Sequence, residues 1–130
     1  MAVESPLTFK DLLKLDITDE IILDKIQVDF EKRYEKALQA INEERVHKYI
    51  FEPSNRIVWI VTGTERDYWI IPDIYCNCND FYINVISKNK YDACYHLLAK
   101  VLSEKLGNKY KVWKLKDDRY INLMNEWKSL

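Results

Sequence analysis

The 130-residue chain contains only two glycines, three prolines, three cysteines and two histidines. The glycines stand at Gly63 and Gly107. No loop with two neighbouring glycines can form, so neither a P-loop nor a dinucleotide fingerprint exists here. Any nucleotide-driven chemistry must use a site on another protein. Long hydrophobic runs are also missing. The longest, Ile57 to Val61, is five residues, against the roughly 20 that span a bilayer. Met1 to Pro6 has no basic head or apolar core, so no signal peptide and no membrane partner are expected. The expected location is therefore intracellular: cytoplasmic, or nuclear in a eukaryote.

Charge of one sign is lacking overall, with 20 basic and 21 acidic side chains. Its distribution is uneven. Residues 1–55 carry 8 basic and 12 acidic groups, and residues 88–116 carry 8 basic and 2 acidic. The average excludes a strong polyanion binder, whereas the distribution keeps a local one open. At 48% hydrophobic and 32% charged residues, the composition is that of a folded globular chain.

No repeat, low-complexity tract or Pro/Ser-rich linker divides the sequence. One domain over residues 1–130 is expected, with the part built around the cysteines at about 46–107. Phe9 to Leu15 reads as a short helix. From Asp19 to about Glu44, Ile22, Ile26, Phe30, Tyr34, Ala37, Leu38 and Ile41 predict one long helix of about seven turns. Val46–Phe51, Arg56–Thr62 and Asp67–Ile71 are rich in β-branched and aromatic residues and are separated by turn-forming tetrads. They predict an antiparallel three-stranded meander. Tyr75 to Val85 continues in extended or mixed form. Asp92 to Leu106 reads as a helix capped by Asp92 and ended by Gly107. A strand over Lys109–Leu115 follows. A short helix then carries Tyr120, Leu123, Met124 and Trp127 on one face. The expected class is α+β.

All three cysteines and one of the two histidines fall into two pairs, Cys76-Asn77-Cys78 and Cys94-Tyr95-His96. On an extended segment, residues two apart share a side, with Cα atoms roughly 6–7 Å apart, so both sulfurs of the first pair reach one ion. Residues two apart in a regular helix lie about 200° apart around its axis. Cys94 and His96 therefore share an ion only at a helix N-terminus, where free N–H groups also favour thiolate. The plainer alternative is three buried thiols and a core histidine. Four ligand-type residues consumed in two matched pairs favour metal. Cys₃His is a closed set typical of one structural Zn²⁺, with no open position for water, and the deaminase pattern is absent.

C-x-C followed by C-x-H resembles the SWIM-type zinc finger, and the extended form C-x-H-x-x-A is met by Cys94, His96 and Ala99. That extension is similar to the small Shu-complex-type adaptors, which pair with RecA/RadA-family paralogues in homologous recombination. The resemblance implies a non-enzymatic zinc-binding adaptor in DNA repair, in a heterocomplex with such an ATPase and reaching DNA through it. Ala99 also reads simply as a small residue for close helix packing. Tyr120 and Trp127 are candidate partner contacts, since aromatics are common binding anchors, although their stripe also suits this chain's own core.

A second expectation is direct nucleic-acid binding. Lys88, Lys90, Lys100, Lys105, Lys109, Lys111, Lys114 and Lys116 alternate with Tyr91, Tyr110 and Trp113. Such lysines track phosphates while aromatics stack on bases; a solvated lysine-rich face is the bland alternative. His47, the remaining histidine, has no recognisable nucleophile frame around it, so no enzyme is expected.

Overall fold

The computed structural model describes residues 6–129; Met1–Ser5, on which the targeting expectation partly falls, lie outside them. Helix α1, Phe9–Lys14, starts with a capping box in which Thr8 and Asp11 satisfy each other's backbone N–H. Helix α2 spans Glu20–Phe30, with Asp19 Oδ1 accepting from the Ile22 N–H at 3.1 Å.

The expected single helix over residues 19–44 is two helices. Glu31 takes φ 53 and ψ −127, and α3 restarts over Lys32–Asn42. Apolar positions spaced four apart (22, 26, 30, 34) creep around a straight helix by about 40° per step. The break resets this drift. It buries Ile26 and Phe30 from α2, and Tyr34, Ala37, Ala40 and Ile41 from α3.

Strands β1 (Val46–Glu52), β2 (Arg56–Thr62) and β3 (Asp67–Ile71) form the expected antiparallel meander. Gly63 serves the turn after β2, since a Cβ there would lie 2.5 Å from the Tyr68 ring. Two further strands complete the sheet. β4, Tyr75–Cys76, pairs antiparallel with β3, setting Cys76 opposite Ile70. β5, Lys111–Lys116, runs parallel to β1, setting His47 opposite Lys111. The order is β4-β3-β2-β1-β5.

Between β4 and the next helix, Phe81–Ser87 forms a π-helical turn that buries Phe81. Helix α4 covers Tyr95–Lys105, and Gly107 leaves it at φ +100, a conformation glycine adopts without strain. Cys94, not Asp92, occupies the N-cap; Asp92 Oδ2 instead accepts from the Phe9 N–H at 2.9 Å, tying α1 to the start of α4. Helix α5, Tyr120–Lys128, closes the chain.

Period-two alternation divides the sheet's side chains between two faces. Val46, Trp59, Val61 and Ile70 join Ile26, Phe30, Leu97, Leu98 and Leu102 in the main core with the helices. Phe51, Val58 and Ile60 join Met124 and Trp127 of α5 in a second core on the opposite face. No helix among the described residues is long and apolar enough to cross a membrane.

Candidate metal centre

Cys76 ends β4, Cys78 follows two residues later, and Cys94 and His96 stand at the start of α4. Their ligand atoms all lie within 4.8 Å of one another, and all four residues are buried. His96 Nδ1 faces the sulfurs, 3.7 Å from Cys76 Sγ and 3.9 Å from Cys94 Sγ. Bonds of roughly 2.0–2.3 Å to a tetrahedral ion set ligand atoms at about this spacing. Cys94 reaches the ion from the N-cap and His96 from the first turn, which solves the angular problem of an i, i+2 pair on a helix.

The three thiols cannot all hold a charge at once unaided. Hydrogen bonds from Cys76 and then Cys94 keep the Cys78 thiol well below its usual range. Hydrogen bonds with Cys78 and then Cys94 push Cys76 up, and burial pushes Cys94 up. Three thiols this close ionise together only when a divalent cation offsets the repulsion. The residues fit the group: three sulfurs and one nitrogen, buried and within reach of each other, make a closed set for one structural zinc. Such an ion supplies folding energy and no open position for a substrate.

The surrounding groups hold the ligands in place. The Phe81 backbone N–H donates to Cys78 Sγ at 3.3 Å. The Tyr68 and Tyr95 rings flank the His96 imidazole, with centroids 4.3 and 3.9 Å away. Between the two cysteines, Asn77 Oδ1 accepts from the Trp69 N–H at 2.8 Å, and its Nδ2 donates to the Trp127 carbonyl at 2.9 Å. Arg33 Nη1 donates to the Ala93 carbonyl at 2.9 Å, just ahead of Cys94.

Sequence reasoning missed Asn77 and Arg33. The signal for Asn77 was its place: the middle residue of an extended C-x-C faces away from the ion, and an amide there has both a donor and an acceptor to offer.

The other candidate residues separate in space. Ala99 is fully buried in the main core, as a small packing residue would be. Lys100 is 6% exposed, paired with Glu104 at 2.5 Å and lying over the Trp59 ring. Lys105 Nζ donates to the Leu13 and Leu15 carbonyls. Lys88 and Lys90 are exposed beyond the π-helical turn, while Lys109, Lys111, Lys114 and Lys116 are exposed on and beside β5. Trp127 packs inward on Tyr49 at 4.8 Å, and Tyr120 meets Phe51 edge-on at 5.1 Å. The face that α5 shows to solvent carries Ile121 instead.

No family model matches the chain, and no solved structure matches it. A curated relative does: the zinc finger SWIM domain-containing protein 7 homolog of Dictyostelium discoideum is 30% identical over 106 residues, 80% of this chain and 67% of that protein. With a buried Cys₃His set at the spacing that defines such fingers, and a relationship extending well beyond those four residues, this chain belongs to the SWIM-type zinc finger family, among the homologues of zinc finger SWIM domain-containing protein 7.

Proposed function

We propose that the protein is a non-enzymatic adaptor in homologous recombination and DNA repair that acts by binding a RecA/RadA-family paralogue ATPase. The observation that carries this is the C-x-C…C-x-H-x-x-A pattern, set in a chain related over 80% of its length to a SWIM domain-containing protein 7 homolog. Two features support it. The zinc ligands form a closed, buried set suited to shape rather than turnover. With only Gly63 and Gly107, the chain has no glycine-rich phosphate loop, so the nucleotide site belongs to the partner. Affinity purification from native extract, with mass spectrometry and metal analysis of the same sample, tests this reading. Recovery of a RecA-like ATPase with the zinc-loaded chain is expected; repeated failure to recover one would count against it.

A second reading, direct nucleic-acid binding, is favoured by one observation: Lys109, Lys111, Lys114 and Lys116 are exposed together beside a half-exposed Trp113. Such binding must weaken steeply with salt as counterions are released. No shift of single- or double-stranded DNA at low salt would remove it.

A further inference from the structure

β5 is the open long edge of the sheet. At the opposite edge β4 is two residues long, whereas β5 has six and, among the described residues, pairs with β1 alone. All of its residues except Leu115 are exposed. An edge strand of this kind presents a row of unpaired backbone N–H and C=O groups, and proteins usually blunt or cover it.

Two side chains on this edge are placed for contact. Val112 is 50% exposed and Trp113 43%. Trp113 is also held in position. Its Nε1–H donates to His47 Nδ1 at 3.1 Å, and its ring stacks on Tyr49 with centroids 6.1 Å apart and planes 16° apart. Tyr49 in turn meets Trp127. An incoming strand would therefore find an aromatic row that is already ordered, with less side-chain entropy left to lose.

The charge on this edge selects the occupant. Residues 109–116 contain Lys109, Lys111, Lys114 and Lys116 and no acidic residue. Lys111 lies 3.6 Å from Glu44, and the other three make no ion pair among the described residues. The acid that follows, Asp117, is turned back onto Ser54, accepting from its N–H at 3.0 Å and its Oγ–H at 2.7 Å. Neither Asp117 nor Glu52, in register with Lys116 on β1, makes an ion pair with these lysines among the described residues. Two copies joined edge to edge would set lysines against lysines, which is destabilising. A nucleic acid would use the lysines but leave the backbone row and Val112 unmatched.

We propose that β5 docks an extended acidic segment of a partner protein, which adds to the sheet as a sixth strand beside Lys111–Lys116. Backbone hydrogen bonds supply affinity, and the lysines with Val112 and Trp113 supply selectivity. This deepens the adaptor reading and rests on it only in requiring a protein partner; it makes no use of the partner being an ATPase.

The test uses the full-length, zinc-loaded protein and amide hydrogen exchange read across residues 109–117. Three probes are compared: a ten-residue peptide alternating Glu with Val and Tyr, its Lys-for-Glu counterpart, and a single-stranded oligonucleotide. The acidic peptide, at about ten times its dissociation constant, slows exchange of the β5 amides roughly ten-fold. The Lys109→Glu/Lys114→Glu variant loses that protection, gains it from the lysine peptide, and keeps its zinc and melting temperature.

Absence of protection by the acidic peptide overturns the proposal, as does equal protection by both peptides. Protection that grows with protein concentration alone assigns the edge to a second copy. Protection by the oligonucleotide but not the peptide assigns it to nucleic acid. Either result also overturns the proposal. Protection by the peptide alongside failed recovery of a RecA-like ATPase would remove the functional reading and leave the docking edge standing.

Discussion

Asn77 and Cys94 both lie at the metal centre but do different work there, and substitution separates the two. Asn77 faces away from the sulfurs and links β4 to Trp69 and to the end of α5. Asn77→Ala leaves two backbone groups without these partners. It lowers stability by about 1–3 kcal/mol in chemical denaturation, while zinc stays at one per chain. Cys94→Ser removes a ligand, and the loss of zinc affinity exceeds the roughly 10–100-fold typical of changing a group that only orients a ligand.

His47 makes stability depend on pH near neutrality, away from the metal. Its Nδ1 accepts from Trp113, its Nε2–H donates to Thr62 Oγ1 at 3.1 Å, and that hydroxyl donates to Asp67 Oδ1 at 2.7 Å. The chain of donors suits only the neutral ring. Burial, opposed by the charge of Asp67, sets its pKa below the ordinary value near 6.5. As pH falls through about 6.5, the unfolded chain takes up a proton that the folded one refuses, so stability drops over that window. Above it the full stability is present. Melting temperature between pH 7.5 and 5.5, with zinc content monitored, should fall more in the wild type than in His47→Gln.

At the scale of elements, what was legible depended on whether the controlling signal was local. The meander and α5 carry their own periodicity and turn residues, and they stand where the sequence put them to within a residue. The break at Glu31 was not legible, because the stripe from Ile22 to Ile41 satisfies helical spacing throughout. Only packing two helices against one core exposes its drift. The cap of α4 was misread for a similar reason: Asp92 is a good capping residue, but Phe9, distant in sequence, claims its carboxylate. The parallel placement of β5 against β1 depends on α4 crossing between them, which no window of residues reports. Glu31 at φ 53 sits where side chains are strained and glycine is not. Glu31→Gly should raise stability by about 1 kcal/mol in urea denaturation, with zinc unchanged; a loss would show that the break is held by the Glu31 side chain.

Over the whole molecule, helices cover both faces of one sheet, and the zinc centre lies where the β3–β4 edge meets the N-terminus of α4. The four ligands were legible from sequence because their chemistry allows few alternatives at that spacing. The groups that hold them were less so: Tyr68 and Arg33 reach the site only through the fold, as do Trp69 and Trp127, the partners of Asn77. Zinc then fastens the C-x-C segment to α4, and with it the outer sheet edge to the main core. Structural zinc of this kind contributes on the order of 10–16 kcal/mol of apparent binding free energy, comparable to the whole stability of a domain. Thermal melting of the protein before and after zinc removal by a chelator, with the metal counted on the same sample, tests this most directly. One zinc per chain is predicted, with loss of the cooperative transition when it is removed and recovery when zinc is returned. A chain fully stripped of zinc that melts at the same temperature would contradict it.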